Sequence, residues 1–277
     1  MSDDLDMDHL NGWLGRTTTA RDVVTAGLID RFRATVGAEW LAPAEVPMGL
    51  HWCLAPDAVE RSDLGPDGHP ARGGFLPPVP LGNRMWAGGM LRFRAPLRIG
   101  DAVERTSRVS SITPKSGRSG PLVFVAVDHV LRVDGEVRIE ERHDIVYRPA
   151  RPAPATLPPP LIPEAAGDGL WIGDPVTLQR YSAITFNGHR IHYDYPYVTG
   201  VEGYAGLVVH GPLQATLLMN AAAKRAGHCA LTLHQRGLSP LIAGQAARLC
   251  EDGQRLWFQK TDGTETYQIT LEQGPDA

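Results

Sequence analysis

Residues 149–163 read PARPAPATLPPPLIP and hold seven of the chain's 23 prolines. Proline fixes φ and removes a backbone donor, so a stretch this dense enters neither a helix nor a sheet interior and favours extended polyproline II. It divides the 277 residues into a unit over 1–148 and a unit over 164–277, with 149–163 as a semi-rigid linker. Both units have ordinary domain sizes.

The two units read as copies. In the first, Ala95-Pro96-Leu97-Arg98-Ile99-Gly100-Asp101 follows the strand-like run Leu91-Arg92-Phe93; in the second, Ser239-Pro240-Leu241-Ile242-Ala243-Gly244-Gln245 repeats its Pro, Leu and Gly at an offset of 144. Phe32-Arg33-Ala34-Thr35 matches Tyr181-Ser182-Ala183-Ile184 at an offset of 149. Near-equal offsets in the same order are what duplication and drift leave behind.

Each unit ends in strand-like runs. Residues 122–127, 130–133 and 136–139 surround the turn Asp134-Gly135, and 256–259 and 266–271 flank Thr261-Asp262-Gly263, both hairpin signals. A helical pattern precedes the strands in each unit, and the clearest runs from about Pro212 to Arg225. Gly211 and Pro212 open it, Gly227 closes it, and Lys224 and Arg225 meet the negative end of its dipole. Leu213, Leu217 and Ala221 share a face, while Ala215, Ala222 and Ala223 let other backbone approach; such a helix suits enclosure by a sheet.

Composition removes several classes. Lys plus Arg number 27 against 31 Asp plus Glu, a net charge of -4 with a pI near 6.2, so no global field draws in nucleic acid or anionic lipid. Cys53, Cys229 and Cys250 are too few and too scattered for a disulfide framework or a zinc site, which fits a reducing interior. The acidic start MSDDLDMDHL lacks the apolar core of a secretory signal, and no unbroken apolar run is long enough to span a bilayer, so a cytoplasmic protein with no membrane contact is expected. No P-loop, Gly-rich dinucleotide fingerprint or Gly-x-Ser-x-Gly elbow is present.

Chemistry concentrates in 181–212, YSAITFNGHRIHYDYPYVTGVEGYAGLVVHGP. Three of the ten histidines (His189, His192, His210) lie there with Asn187, Arg190, Tyr193 and Asp194. Polar groups this dense between apolar runs are poor core material, because each buried one needs a partner. The run then leads into a helix N-terminus, where the free N–H of Gly211 can stabilise an oxyanion. A metal reading of His189-x-x-His192 with His210 and Asp194 lacks the HExxH glutamate and a helix beneath it, so no metal is expected.

The runs FNGHRIHYD (186–194) and GLVVHGPLQATLLMN (206–220), with RMWAGGMLRF (84–93) and EERHDIVYR (140–148), resemble the MaoC-like hydratases, in particular the type 2 hydroxyacyl-thioester dehydratase and mesaconyl- or itaconyl-CoA hydratase group. The resemblance extends over about 19–271. It implies an α+β fold of two fused hot dogs, each an antiparallel sheet wrapped around a central helix. It also implies reversible addition of water to a 2-enoyl thioester, with coenzyme A or acyl carrier protein as carrier and no other cofactor. Other hot-dog proteins hydrolyse thioesters or bind acyl-CoA without turnover, since fold does not fix function.

The wider family carries Gly-Asp-x-Asn-Pro-Leu-His, whose Asp and His are catalytic. On this chain the His falls on His192, the Asp on Asn187, the Asn on His189 and the Pro on Arg190. Asn187 cannot take a proton, although its amide can orient a water. His192 is then expected as the single base, with Asn187 holding the water, Gly211 polarising the thioester carbonyl, and Asp194 either tuning His192 or acting as the missing carboxylate. Where Asn187 and His189 stand in the second copy, the first has Ala38 and Trp40, so the first unit is expected to contribute only pocket walls, Trp86 among them. Arg84 and Arg190 are candidates for gripping a distal carboxylate on a dicarboxylic acyl group, and His189 and His210 for lining the site. Lys115 and Arg118 are weighed as contacts for coenzyme A phosphates. Two copies in one chain already supply the pairing that single hot dogs obtain by dimerising, so monomer and homodimer are both expected.

Overall fold

The computed structural model describes residues 5–117, 120–150 and 169–272. Linker residues 151–163 and Arg118 lie outside these. The elements are, in order, α1 (Met7–Asn11), β1 (Thr17–Val23), α2 (Ala26–Val36), β2 (Asn83–Phe93), β3 (Ala102–Gly117), β4 (Gly120–Val133), β5 (Glu136–Arg148), β6 (Leu170–Ile172), α3 (Pro175–Ile184), α4 (Tyr195–Gly200), α5 (Gly211–Ala226), β7 (Thr232–Gly237), β8 (Ala246–Asp252), β9 (Arg255–Lys260) and β10 (Glu265–Leu271).

All ten strands form one antiparallel sheet in the order β1-β3-β4-β5-β2-β7-β10-β9-β8-β6. Exchanging β1–β5 with β6–β10 turns that order into its own reverse, so the sheet is two copies joined at the β2–β7 seam, where Leu91 pairs with Leu233. The repeated turns obey the same rule. Gly100 (φ 91°) donates its N–H to Val24 O just beyond β1, and Gly244 (φ 90°) donates to Gly173 O just beyond β6. Both conformations lie in the left-handed region that glycine tolerates. Phe32 and Tyr181 sit in the matching helices α2 and α3, each started by an N-cap side chain, Thr25 and Asp174. The molecule is a double hot dog.

Helix α5 begins and ends one residue outside the expected 212–225, with Pro212 in its first turn and Gly227 (φ 75°) as a left-handed cap. It is buried nearly all round: Leu213, Leu217 and Leu218 contact a core built from both halves, with Leu50, Leu91, Leu233 and Phe258. Its buried Asn220 accepts from Ala42 N and donates to Met48 O, tying the helix to the first half, and Gln214 accepts from Thr266.

One expectation needs correction. The first half has no counterpart of α5 between α2 and β2; residues 41–82 contain only short 3-10 turns. Eight prolines and six glycines in that stretch preclude a long helix. Its backbone packs onto α5 instead, with Gly49 (φ 94°) so close that a Cβ would meet Thr216 Oγ1. One central helix therefore serves both halves of the sheet. No helix among the described residues is long and apolar enough to cross a membrane.

Candidate functional site

Helix α3 stops at Ile184, and Phe186, held in the left-handed region at φ 53°, reverses the chain so that Asn187 N donates to Ser182 O. Asn187 Oδ1 then accepts the N–H of His189 at 3.0 Å, a turn that carries the chain into the short 3-10 segment Arg190–His192. Beyond α4, residues 207–209 run beside the repeated turn at 240–244: Val209 N donates to Leu241 O, and Val208 N to Ile191 O. The duplicated Pro-Leu-x-x-Gly turn thus supports the strand that feeds α5.

These contacts place His192 at the start of α5. Its ring is buried and stacks on the ring of His210, the residue capping α5, with centroids 3.5 Å apart and planes 18° from parallel. His192 Nδ1 stands 2.6 Å from Val208 O. A carbonyl only accepts, so Nδ1 carries the proton and the lone pair resides on Nε2. Burial pushes the His192 pKa down to about 4, against the opposing pull of the Val208 carbonyl, so the imidazole is a free base at neutral pH. His210 makes its contact to Ser182 Oγ at 2.8 Å, and burial likewise keeps it neutral. His189, also buried, lies against His69 of the first half with ring centroids 4.2 Å apart; burial, reinforced by His192, lowers its pKa to about 3.

Gly211 opens α5 where there is little room for a side chain: a Cβ would stand 3.2 Å from Tyr267 Cε2 and 3.7 Å from Trp86 Cε3. The N–H groups of Gly211 and Leu213 belong to the helix's unsatisfied first turn. Beside them is a cavity of about 170 Å³, walled by Asn187 and Pro212 from the second half and by Trp86, Arg105, Glu141 and His143, among others, from the first. Trp86 reaches it because β2 bulges between Trp86 and Gly88 against β5, and because Gly88 and Gly89 have no Cβ to strike Gln235 O and Arg142 O of the neighbouring strands.

Three of the expected site residues are engaged elsewhere. Asp194 accepts Tyr197 N as the cap of α4 and pairs with Arg190 at 2.7 Å; that pairing holds its carboxyl below the usual range. Arg190 also donates to Pro66 O. Arg84 lies 3.3 Å from Asp67 Oδ2 and donates to Pro70 O. None of the three lines the cavity. Of the expected site residues Asn187 and Trp86 do, while Gly211, His210, His192 and His189 lie behind its wall: Gly211 adjoins Pro212 in the chain, and the rings of His210 and His189 contact that of His192. Both arginines pair with an aspartate away from the cavity wall. Asp194→Ala is expected to cost about 1 kcal/mol of stability through the lost cap while lowering turnover only a few-fold. Paired chemical denaturation and kinetics check this, and a loss matching that of His192→Ala would restore a catalytic role.

The first half supplies most of the cavity wall and also braces the second-half motif. Its loop at 65–70 packs backbone to backbone on the motif, Gly68 against Gly188, and Asp67 O accepts Arg190 N. Glu141 is buried and accepts from Trp52 Nε1 at 2.8 Å and from His143 Nε2 at 2.5 Å; with His143 foremost among the groups favouring its charge against burial, its pKa falls to about 2. Ala38 and Trp40, picked by the sequence offset, lie outside the cavity wall. The described residues that come together as metal ligands are Asp67, His69 and His189, not the set weighed from sequence, and Arg84 already neutralises their one carboxylate. Lys115 lies over the Phe124 ring.

A double hot dog with a neutral imidazole beside a helix N-terminus and a cavity at that terminus has the apparatus of a thioester hydro-lyase. The family model for hydroxyacyl-thioester dehydratase type 2 matches residues 49–243. Mesaconyl-C(4)-CoA hydratase of Chloroflexus aurantiacus is 42% identical over 271 residues, covering 95% of this chain and 97% of that protein. The mitochondrial hydroxyacyl-thioester dehydratase type 2 of Schizosaccharomyces pombe is 27% identical, covering 87% and 92%. Among solved structures, HtdX of Mycobacterium tuberculosis superposes with a TM-score of 0.67 at 18% identity, covering 92% of this chain and 99% of that one. Another M. tuberculosis protein, described as having a double hotdog fold, gives a TM-score of 0.53 at 13% identity, covering 93% and 95%. The chain belongs to the hydroxyacyl-thioester dehydratase type 2 family and is a hydratase/dehydratase of acyl thioesters.

Proposed function

We propose that the protein adds water reversibly to a short 2-enoyl-CoA thioester bearing a second carboxylate, of the mesaconyl-C4-CoA kind, and that His192 is the base. The observation that carries this reading is the orientation of His192: Nδ1–H is fixed on Val208 O, so Nε2 is left basic, and the ring lies against the residue that caps α5. Asn187, on the cavity wall, holds the attacking water. As its oxygen bonds to C3, His192 Nε2 accepts a water proton and charge moves onto the thioester oxygen, where the Gly211 N–H and the positive end of α5 stabilise it. His192 then returns the proton to C2 as the enolate collapses. The only coenzyme is the coenzyme A of the substrate. We place the reaction in the cytoplasm, in keeping with three free cysteines.

A cavity of about 170 Å³ has the volume of about six waters and suits a four- or five-carbon acyl group. A panel of mesaconyl-C4-, crotonyl- and octenoyl-CoA, followed by mass, tests the reading. The expected result is hydrated thioester from the first two, with octenoyl-CoA at least about tenfold poorer in kcat/KM. Release of free coenzyme A thiol without a hydroxyacyl-CoA would instead establish hydrolysis and overturn the proposal.

A further inference from the structure

The inward face of the first half's sheet changes character at one level. Along β3 it runs Val103, Arg105, Ser107; along β4, Val133, Leu131, His129; along β5, Ile139, Glu141, His143. The strand pairing sets Ser107 opposite His129 and His129 opposite Glu141, so the polar residues form a continuous band. Val103, Leu131, Val133 and Ile139 belong to the apolar core around α5, whereas Arg105, His129, Glu141 and His143 line the cavity near Pro212 and Asn187, with Leu131 at the boundary. Ser107 and Glu141 are buried, and the Arg105 side chain is 15% exposed. A polar band in this setting requires partners.

Part of the band has them. Glu141 is engaged by Trp52 and His143, and His129 Nδ1 lies 2.7 Å from Ser107 Oγ. Arg105 directs Nη2 outward to the exposed Asp57 at 2.8 Å. Four nitrogens of residues on the cavity wall remain buried without a hydrogen-bond partner: Arg105 Nε, Trp86 Nε1, His129 Nε2 and His51 Nε2, the last 3.7 Å from Glu141 Oε2. The first two can only donate, and the third donates in the tautomer whose Nδ1 accepts from the Ser107 hydroxyl. The rings connect, His143 lying 4.8 Å from Trp86 and 4.5 Å from His129 between centroids. Unpaired N–H groups on one cavity wall, one of them on a guanidinium, suit a carboxylate, which offers four lone-pair sites, while the wall's own carboxylate, Glu141, is already held by Trp52 and His143.

We propose that this band is the subsite for the carboxylate at the far end of the acyl chain, with Arg105 as the residue that recognises it and Trp86 Nε1 as a second donor. The proposal rests on the reading of the cavity as the acyl site. It assigns the carboxylate to the first half of the chain, opposite the second-half motif that carries His192.

The test compares kcat/KM for mesaconyl-C4-CoA and crotonyl-CoA, which lacks the second carboxylate, in the wild type, Arg105→Gln, Arg105→Lys and Trp86→Phe. Hydrogen bonds to a charged group at a buried site are worth enough that Arg105→Gln should lower the mesaconyl-to-crotonyl ratio by at least about thirtyfold. Lysine should restore part of it, because it keeps the charge without the planar fork. Trp86→Phe keeps the ring but removes the N–H, so it is informative even where an Arg105 variant fails to fold; a drop in the ratio of about five- to tenfold is expected. A ratio within about threefold of wild type in Trp86→Phe and in every folded Arg105 variant would overturn the assignment. Wild-type protein that hydrates neither thioester would instead remove the functional reading beneath it.

Discussion

Replacing His192 by alanine is expected to lower kcat/KM for the enoyl thioester by about a hundredfold or more, the usual worth of a positioned general base. The substitution removes the Nε2 lone pair that the Val208 contact fixes in place, and no other imidazole is held in that orientation at the start of α5 among the described residues. His210 stacks on it, but its Nε2 is engaged with Ser182. Because burial holds His192 near a pKa of about 4, the wild-type pH–rate profile should show no inflection near 6.5 where an exposed histidine titrates. Thermal unfolding of the variant provides the control. A folded His192→Ala enzyme losing only a few-fold in rate would exclude His192 as the base.

The second large effect concerns stability in mild acid. His51 is lowered to about 4, His189 to about 3 and His192 to about 4, with His129 and His210 also well below 6.5; burial is the leading cause in each. In the unfolded chain these groups bind protons at about 6.5. Between that value and the folded pKa values the unfolded state holds more protons, so the stability present above pH 6.5 is lost as pH falls toward 4. Each histidine removes about 1.4 kcal/mol per pH unit within the window. Several titrating together reach the 5–15 kcal/mol range of total domain stability within about one to two pH units. The urea midpoint should therefore fall steeply between pH 6.5 and pH 5, with cooperative unfolding before pH 4. Glu141, lowered to about 2, contributes stability that is lost only at more acid pH. A midpoint unchanged from pH 7 to pH 5 would show that the histidines are not buried as a neutral cluster.

Much of the fold was legible because its signals are local. The Pro-Leu-x-x-Gly turns, the Asp134-Gly135 hairpin and the Gly-Pro opening and Gly closing of α5 each act within a few residues, and each lies where the sequence placed it. The absent first-half helix was legible too: eight prolines and six glycines in 41–82 oppose it, although the family resemblance implied a central helix in each half. Asp194 before Tyr195-Pro196 carries the signature of a helix cap, with Arg190 four residues earlier as its partner, and that reading fits the structure better than a catalytic one.

The first-half contribution was harder to see. Arg105, His129 and Glu141 look like ordinary alternating polar positions, since a strand's period of two does not say which parity faces inward until its neighbours and the core are known. His51 and Trp52 lie in a 3-10 turn far from the motif in sequence, and only the packing of 41–82 onto α5 brings them to the cavity.

The central claim is that water is added to an acyl thioester at the start of α5. Its most direct measurement is turnover of mesaconyl-C4-CoA in oxygen-18 water, with both products analysed by mass. The expected result is one labelled oxygen in the acyl group of an intact coenzyme A thioester, appearing about a hundredfold more slowly when His192→Ala replaces the wild type. Label found in a free acid, with coenzyme A released, would contradict it.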